Sequence, residues 1–152
     1  MSGLGYKAVT DQLTSKALAT GMFAAVNGHE PKNAPEKGLT AAVWVDRITP
    51  WTAASGLTST SAVVVMIMRL YTPMITDPQD MIDPTLVAAA DTLMGSITGD
   101  LDLGSTVRNV DLLGETGDSL QSQAGYVDLD GTIFRIIDIT IPCIVNDAWS
   151  QG

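Results

Sequence analysis

The fold of this chain is decided by residues 126–141, YVDLDGTIFRIIDITI. Asp128 and Asp130 stand two residues apart and lead into Gly131, as in the first half of a calcium-binding loop. Such a loop would also need an acid at the position of Tyr126, a bidentate glutamate further on, and flanking helices. The stretch is instead rich in Ile, and Asp-Gly is the strongest short-range signal for a two-residue hairpin turn. The sequence therefore predicts a β-hairpin and not a metal site.

The pattern outside this hairpin predicts two helices and three more strands. From about Thr10 or Asp11, apolar residues recur at helical spacing (13, 17 and 24, with a parallel set at 18, 22, 25 and 26). Asp11 suits the N-cap and Gly28 the C-terminal stop. A second helix is expected to begin at Asp83 as its N-cap and to end at Gly99. Its apolar residues form one stripe, at positions 86, 87, 90, 93, 94 and 97. Apolar alternation predicts the three further strands at residues 39–48, 62–71 and 107–113, and it places the two hairpin strands at 124–129 and 132–141.

This order predicts an α+β domain: a small, mostly antiparallel sheet of about five strands, flanked by two helices. We expect a single domain over residues 1–152, with a loose N-terminus at 1–9, a loop at 29–38 (HEPKNAPEKG) and a C-terminal tail at 146–152. The strand at 62–71 is apolar on both faces and must be covered on both. A neighbouring subunit is one candidate for the second cover.

Composition excludes several classes of protein. With 45% hydrophobic and 16% charged residues the chain is expected to be globular, because disordered chains bury too little apolar surface. Its longest uncharged apolar run, residues 62–68, is far short of the ~20 residues that cross a bilayer, and the first residues lack the pattern of a secretory signal. The formal charge of −9 argues against nucleic-acid binding, which needs a basic surface.

No residue pattern predicts catalysis, a cofactor or a metal. His29 is the single histidine and is expected just past a helix end, where a cation is mildly favoured without any catalytic reason. Cys143 is the single cysteine; we expect a buried, inert thiol and no disulfide, as suits a reducing cytosol. Asp100 and Asp102 lie in GDLDLG, which is expected to be a solvated loop. A small hydrolase using scattered aspartates and a binding module with a pocket beside the sheet remain alternatives.

Two tryptophans lie in segments expected to be irregular. Trp51 follows a proline in TPWTAASGLTSTS, and Trp149 lies in the tail NDAWSQG. Aromatic side chains in loops and termini either pack into their own core or anchor a partner. Trp51 and Trp149 are therefore the candidate contacts with neighbouring subunits or partner proteins.

Six segments together carry a resemblance to a known family: ALATGMFAAVNGHEPKNAP, GLTAAVWVDRITPWTAASGLTSTS, MIMRLYTPM, GDLDLG, VRNVDLLGETG and AGYVDLDGTIFRIIDITIPCIVNDAW. In this order and spacing they resemble the tail terminator proteins of long, flexible-tailed (siphovirus-type) bacteriophages that infect actinobacteria. The resemblance spans residues 17–149, and no single segment is diagnostic alone.

The resemblance implies a structural virion protein without catalytic residues. Its relatives form a homohexameric ring on the head-proximal end of the tail tube, which ends tube polymerisation and makes the joint to the head connector. The expected partners are other copies of the chain, the tail tube protein and head–tail connector or adaptor proteins. Genome DNA would pass through without specific binding, and no membrane would be involved. The protein would assemble in the host cytoplasm and reside in the neck region of the virion tail.

Charge is consistent with this expectation. Six copies at −9 each would carry −54 around a channel for DNA, and acids lining that channel would repel phosphates. The candidates, chosen by their position in loops, are Asp100, Asp102, Glu115 and Asp118. A head-completion or adaptor protein, or a tail tube subunit of the same assembly, is the alternative within the same particle.

Overall fold

The described part of the protein contains two helices and one six-stranded sheet. A computed structural model describes residues 3–30, 38–51, 59–74 and 79–150. The predicted loop at 29–38 lies mostly outside these residues. The elements in chain order are α1 (Tyr6–Ala19), β1 (Ala25–Asn27), β2 (Thr40–Pro50), β3 (Ser59–Pro73), a 3-10 turn (Gln79–Met81), α2 (Ile82–Thr98), β4 (Asn109–Val110), β5 (Gln121–Leu129) and β6 (Thr132–Ser150).

The sheet is built around two long central strands. Its order is β1-β2-β3-β6-β4, and β5 pairs with the first half of β6. All neighbours are antiparallel except β1 and β2, which run parallel. The predicted α+β class is confirmed, with two differences: the sheet has six strands, and it is mixed and strongly curled.

The β5–β6 hairpin is the predicted one. Leu129 pairs with Thr132 across the two-residue turn Asp130–Gly131. Both turn residues have positive φ, 52° and 80°, as a turn matching the right-handed twist of the strands requires. Glycine is needed at the second position, and aspartate is among the few residues that tolerate the first.

One face of the sheet carries the main core. Because side chains alternate along a strand, even-numbered residues of β3 and odd-numbered residues of β6 point to the same face. The two helices cover this face, which we call the helix face. Their buried side chains include Leu13 of α1 and Leu93 of α2, packed against Met66, Met68 and Ile139 of the sheet. Burial of such side chains stabilises the fold by roughly 1.5–3 kcal/mol each.

The opposite face, called here the second face, is covered within the chain more fully than expected. Val63 and Val65 of β3 are 4% and 1% exposed. Tyr71 and Phe134 form a second small core, with their rings edge to face at 6.2 Å. A neighbouring subunit is therefore not needed to bury the second face of β3.

The first helix differs most from its prediction. It spans Tyr6–Ala19, so the expected start at Asp11 and the expected loose residues 6–9 are both wrong; Val9 is fully buried. The helix ends at Thr20, and Gly21 follows with φ 69°, well before Gly28. Of the parallel apolar set, residues 18, 22 and 25 are exposed, and residue 26 lies in β1.

The second helix agrees with its prediction at its end but not at its start. Gly99 is the C-cap as expected, whereas Met81 is the N-cap and Asp83 lies inside the helix. The predicted stripe is largely buried, but Val87 is 57% exposed and Ala89 takes part in the core. The strand predicted at 107–113 is only two residues long in the structure, Asn109–Val110.

The last strand runs much further than predicted, to Ser150, so residues 146–150 are strand and not a free tail. Pro142 directly follows the predicted end of this strand at residue 141, and proline lacks the N–H group that a ladder hydrogen bond would use. The carbonyl of Pro142 accepts a hydrogen bond from the Asp111 amide, so it points away from β3, towards the edge that β5 and β4 share. Because the N–H and C=O groups of one strand residue point to the same side, the N–H group that proline lacks would have pointed to that edge as well. On that edge β5 pairs only up to Thr140 and β4 begins at Cys143. The proline lies in this gap, where no ladder hydrogen bond is lost.

Candidate assembly surfaces

An ion pair stacked between aromatic rings dominates the second face. Arg69 of β3 donates from Nε and Nη2 to both carboxylate oxygens of Asp138 on β6, at 2.6 and 2.9 Å. Its guanidinium lies 5.2 Å from the centre of the Trp44 ring and 5.9 Å from that of Tyr71. The hydrogen bond to Asp138 raises the pKa of Arg69, so this cation stays charged at all working pH values. Burial raises the pKa of Tyr71.

A pocket of about 400 Å³ adjoins this ion pair. Its lining is polar on the side of β5, and on the side of the two central strands it includes Ile67, Arg69 and Asp138. Because Arg69 and Asp138 neutralise each other, the pocket presents no net charge from them. The other lining groups are aliphatic, amide, hydroxyl and aromatic, which suits recognition of a neutral, partly polar surface.

The loop between β4 and β5 is tied down by one buried carboxylate. Asp111, 3% exposed, accepts backbone hydrogen bonds from Gly114, Glu115 and Thr116 and a fourth from the Thr116 hydroxyl, at 2.6–3.0 Å. Burial alone would raise the pKa of Asp111, but the hydrogen bonds from Thr116, Glu115 and Gly114 outweigh it and lower that pKa. The loop is therefore an ordered part of the surface.

This loop crosses the second face. Asp118 forms an ion pair with Arg47 of β2. Arg47 is opposite Val65, and both side chains are on the second face. The loop begins at β4, and β3 and β6 lie between β4 and β2 in the sheet, so the loop must cross both strands to reach Arg47. The ion pair therefore spans the second face above Val65, which is consistent with the burial of that residue.

The four acids proposed for a channel do not form one cluster. Asp100 receives a 3.0 Å hydrogen bond from Lys16 of α1, which lowers the pKa of that carboxyl, assisted by the Gly104 amide. Asp118 is paired with Arg47, as described above. Asp102 and Glu115 are exposed, the first beside α2 and the second in the loop held by Asp111. Two of the four charges are thus partly neutralised within the chain.

The two candidate tryptophans lie near the end where β6 terminates. Trp51 follows β2; its amide donates to the Ser61 carbonyl and its ring lies 5.6 Å below the Arg108 guanidinium. Trp149 lies on β6 opposite Thr60, in a strand and not in a free tail, and is 36% exposed. Ile48 of β2, 42% exposed, is a second large apolar side chain; it lies opposite Val64, four residues along β3 from the Thr60 that faces Trp149. We call Ile48 and Trp149 the C-terminal patch.

A second apolar surface lies at the opposite end, around the β5–β6 hairpin. Ile133 is 52% exposed and Met81 48% exposed. A pocket of about 380 Å³ opens beside Ile133 and is lined by Pro73, Met74, Gly131, Thr132 and Ile133. Met81 lies between Asp80 and Ile82, which line a neighbouring pocket together with Met74. The patterns used in the sequence analysis missed this surface; the apolar dipeptide after the turn, Ile133–Phe134, was its available signal, because adjacent apolar residues in a strand must face opposite sides. We call Met74, Met81 and Ile133 the hairpin patch.

Arg135 and Tyr126 border the hairpin patch. The Arg135 guanidinium lies 4.5 Å from the centre of the Tyr126 ring and donates to Asp83 of α2 at 2.9 Å and to the Gly125 carbonyl at 3.2 Å. The carboxylate that was expected to cap α2 therefore fastens the start of that helix to the sheet. The pairing with Asp83 raises the pKa of Arg135.

The residues considered for chemistry lie apart from one another. Cys143 is fully buried in β6, and burial raises the pKa of its thiol to about 12, as expected of an inert cysteine. His29 is exposed after β1, with Nδ1 3.2 Å from the Glu30 carbonyl oxygen. Within the described ranges, no group of three or more His, Cys, Asp or Glu side chains could hold a metal ion. In the same ranges no helix is long and apolar enough to cross a membrane.

Comparison with known proteins adds no relative. The sequence matches no known protein family, and it matches no curated protein. The sequence pattern and the surfaces described above are therefore the basis for proposing a function.

Proposed function

We propose that this protein is a structural virion component that forms a homohexameric ring at the head-proximal end of a phage tail tube. The ring would end tube polymerisation and form the joint to the head connector. Its partners would be its own copies, the tail tube protein and the head–tail connector or adaptor proteins, with genome DNA passing through the ring. The sequence resemblance suggests the role, and the exposed surfaces support it.

The observation that carries the proposal is the pair of apolar surfaces at the two ends of β6. Ile133 of the hairpin patch and Trp149 of the C-terminal patch stand near opposite ends of the same strand, at most about 50 Å apart at 3.3 Å per residue and closer where the sheet curls. A head-to-tail ring needs two different surfaces on each chain, and exposed apolar patches mark protein contacts. A tryptophan at one end and an apolar pocket of about 380 Å³ at the other are a suitable pair.

The acidic surface suits the channel role only in part. Asp102 and Glu115 are exposed and would repel phosphates if they face the channel. Asp100 and Asp118 contribute less, because Lys16 and Arg47 partly neutralise them. A low affinity of the ring for DNA would therefore come mainly from Asp102, Glu115 and the net charge of −9 per chain.

Electron microscopy of the purified protein tests the ring. Discrete rings are expected; long cylinders would favour the alternative of a tail tube subunit, and monomers would favour a binding module. Trp149→Ser should shift the population from rings to monomers. Met22→Ser is a matched control, because Met22 is also 36% exposed but lies after α1, outside both patches. Equal loss of rings in both variants would contradict the assignment of the C-terminal patch.

The role in the particle has its own test. In the phage that encodes this protein, loss of the chain should give tail tubes longer than normal and free of heads, because nothing would stop polymerisation. Tubes of normal length would contradict the proposed function and favour a head-completion or adaptor protein.

A further inference from the structure

The outer edge of β5 is a free sheet edge among the described residues, since β5 pairs only with β6. In a two-residue hairpin, the two residues that flank the turn bond to each other through both of their backbone N–H and C=O groups, and so does every second pair along the strands. The backbone groups of the residues in between point away from the partner strand. The turn between Leu129 and Thr132 therefore fixes which groups are free. The backbone N–H and C=O groups of residues 122, 124, 126 and 128 point away from β6.

This edge lacks the features that protect edge strands from pairing. On β2, the outer edge is interrupted by a register shift between Val45 and Arg47 and carries charges and Pro50. Such irregularities, charges and prolines discourage the addition of another strand. By contrast, β5 has no charged residue from Gln121 to Val127, and Tyr126 is 62% exposed.

Gly125, in the middle of β5, has no reason for its glycine within the chain. Its φ is not positive, and an added Cβ would meet only Ile136 side-chain atoms, at 3.7 and 3.8 Å, which is ordinary contact. A glycine inside a strand weakens it and often marks a place where another backbone approaches closely. The free edge and the glycine are independent observations that indicate the same kind of partner, an added strand.

We propose that the outer edge of β5 pairs antiparallel with β5 of a second copy, about a two-fold axis at Gly125. In this register residue 122 faces 128 of the other copy and 124 faces 126, and about eight backbone hydrogen bonds join the two sheets. Shifting the register by two residues pairs fewer of the outward-pointing residues. Each Asp128 faces a Ser122 and each Tyr126 covers an Ala124, so no like charges are opposed.

This contact goes beyond the proposed ring and does not rest on it. A two-fold contact uses the same surface of both copies, whereas a ring contact uses two different surfaces. The β5 edge lies apart from the C-terminal patch, and only its Tyr126 borders the hairpin patch. The two-fold contact would join two chains whether or not either chain belongs to a ring, so its failure leaves the ring proposal intact.

Disulfide cross-linking tests the proposed register. The two Gly125 residues would form a non-hydrogen-bonded pair with Cα atoms about 4.5 Å apart, within the range of a disulfide. Under mild oxidation, Gly125→Cys should give at least about tenfold more disulfide-linked dimer than the control Gln123→Cys, whose thiols would be too far apart. Gln123 lies on the same face and is exposed. Cys143 is fully buried and does not interfere.

A second variant separates a specific contact from collision. Ala124→Lys, at an exposed position facing the partner's Tyr126, should abolish cross-linking by Gly125→Cys while leaving the melting temperature of the monomer unchanged within about 2 °C. Equal cross-linking at positions 123 and 125 would overturn the proposal. So would the absence of dimer at position 125, or dimer formation that Ala124→Lys does not reduce.

Discussion

Replacing Asp111 with asparagine should loosen the loop that carries Glu115 and Asp118. Asparagine keeps one acceptor oxygen for Gly114 and Glu115 but turns an NH2 group towards the two donors of Thr116. Hydrogen bonds to a charged group contribute about 1.5–3 kcal/mol each, and such losses are not additive. With two bonds lost and two weakened, we expect the free energy of unfolding to fall by about 2–4 kcal/mol at pH 7.

The pH dependence of this loss is the sharper test. Because the folded-state pKa of Asp111 is lowered, its stabilisation is complete above the unfolded-state pKa, about 3.9, and disappears as the pH falls through the folded-state value. Urea unfolding of wild type and Asp111→Asn should therefore differ by a constant amount from pH 7 to 5. The difference should shrink below pH 4.

A matched control and a refuting result complete the experiment. Asp91→Asn changes an exposed carboxylate of α2 and should stay within about 0.5 kcal/mol of wild type. A loss below about 0.5 kcal/mol for Asp111→Asn at pH 7, or a loss that is the same at pH 3 and pH 7, would refute the reasoning.

Three further changes test other parts of the structure. Cys143→Ser buries a hydroxyl in the core and should cost about 1–3 kcal/mol in urea unfolding, while the native thiol of wild type should resist labelling that the unfolded chain allows; rapid labelling of the native protein would contradict this. Asp138→Asn removes the carboxylate partner of the partly buried Arg69 and should cost about 1.5–3 kcal/mol by chemical denaturation; a near-neutral effect would mean that Trp44 and Tyr71 suffice to hold the cation. Asp102→Asn combined with Glu115→Gln should leave assembly intact and slow genome release, whereas Asp100→Asn combined with Asp118→Asn should affect release less; unchanged release kinetics in the first double variant would remove these acids from the channel.

The sequence predicts those elements whose local signals agree. Asp130–Gly131 fixed the hairpin because few other dipeptides adopt positive φ at both positions. The continuous apolar run of β3 and the stop at Gly99 were likewise unambiguous, and both are confirmed. The expected buried state of Cys143 follows from the same apolar strand pattern.

The wrong predictions occur where two local sequence signals compete or where tertiary pairing decides. Gly21 and Gly28 could each end the first helix, and Gly21, with φ 69°, is the one that follows it. Asp11, the expected cap, instead pairs with Lys7 one turn away. The last strand was predicted to end at residue 141, but it continues because Pro142 lies in the gap between β5 and β4, and this gap depends on tertiary pairing. The hairpin patch and the free β5 edge depend in the same way on which residues the sheet leaves uncovered, which no local pattern specifies.

The central claim is that this chain acts by packing against its own copies and against the tube and connector. A cryo-electron microscopy reconstruction of the intact particle tests it most directly. We predict one ring of this chain between the last ring of the tail tube and the head connector, with Trp149 of each copy against the hairpin patch of the next. Density for the chain repeated along the tube, or a particle without the chain at the neck, would contradict the account.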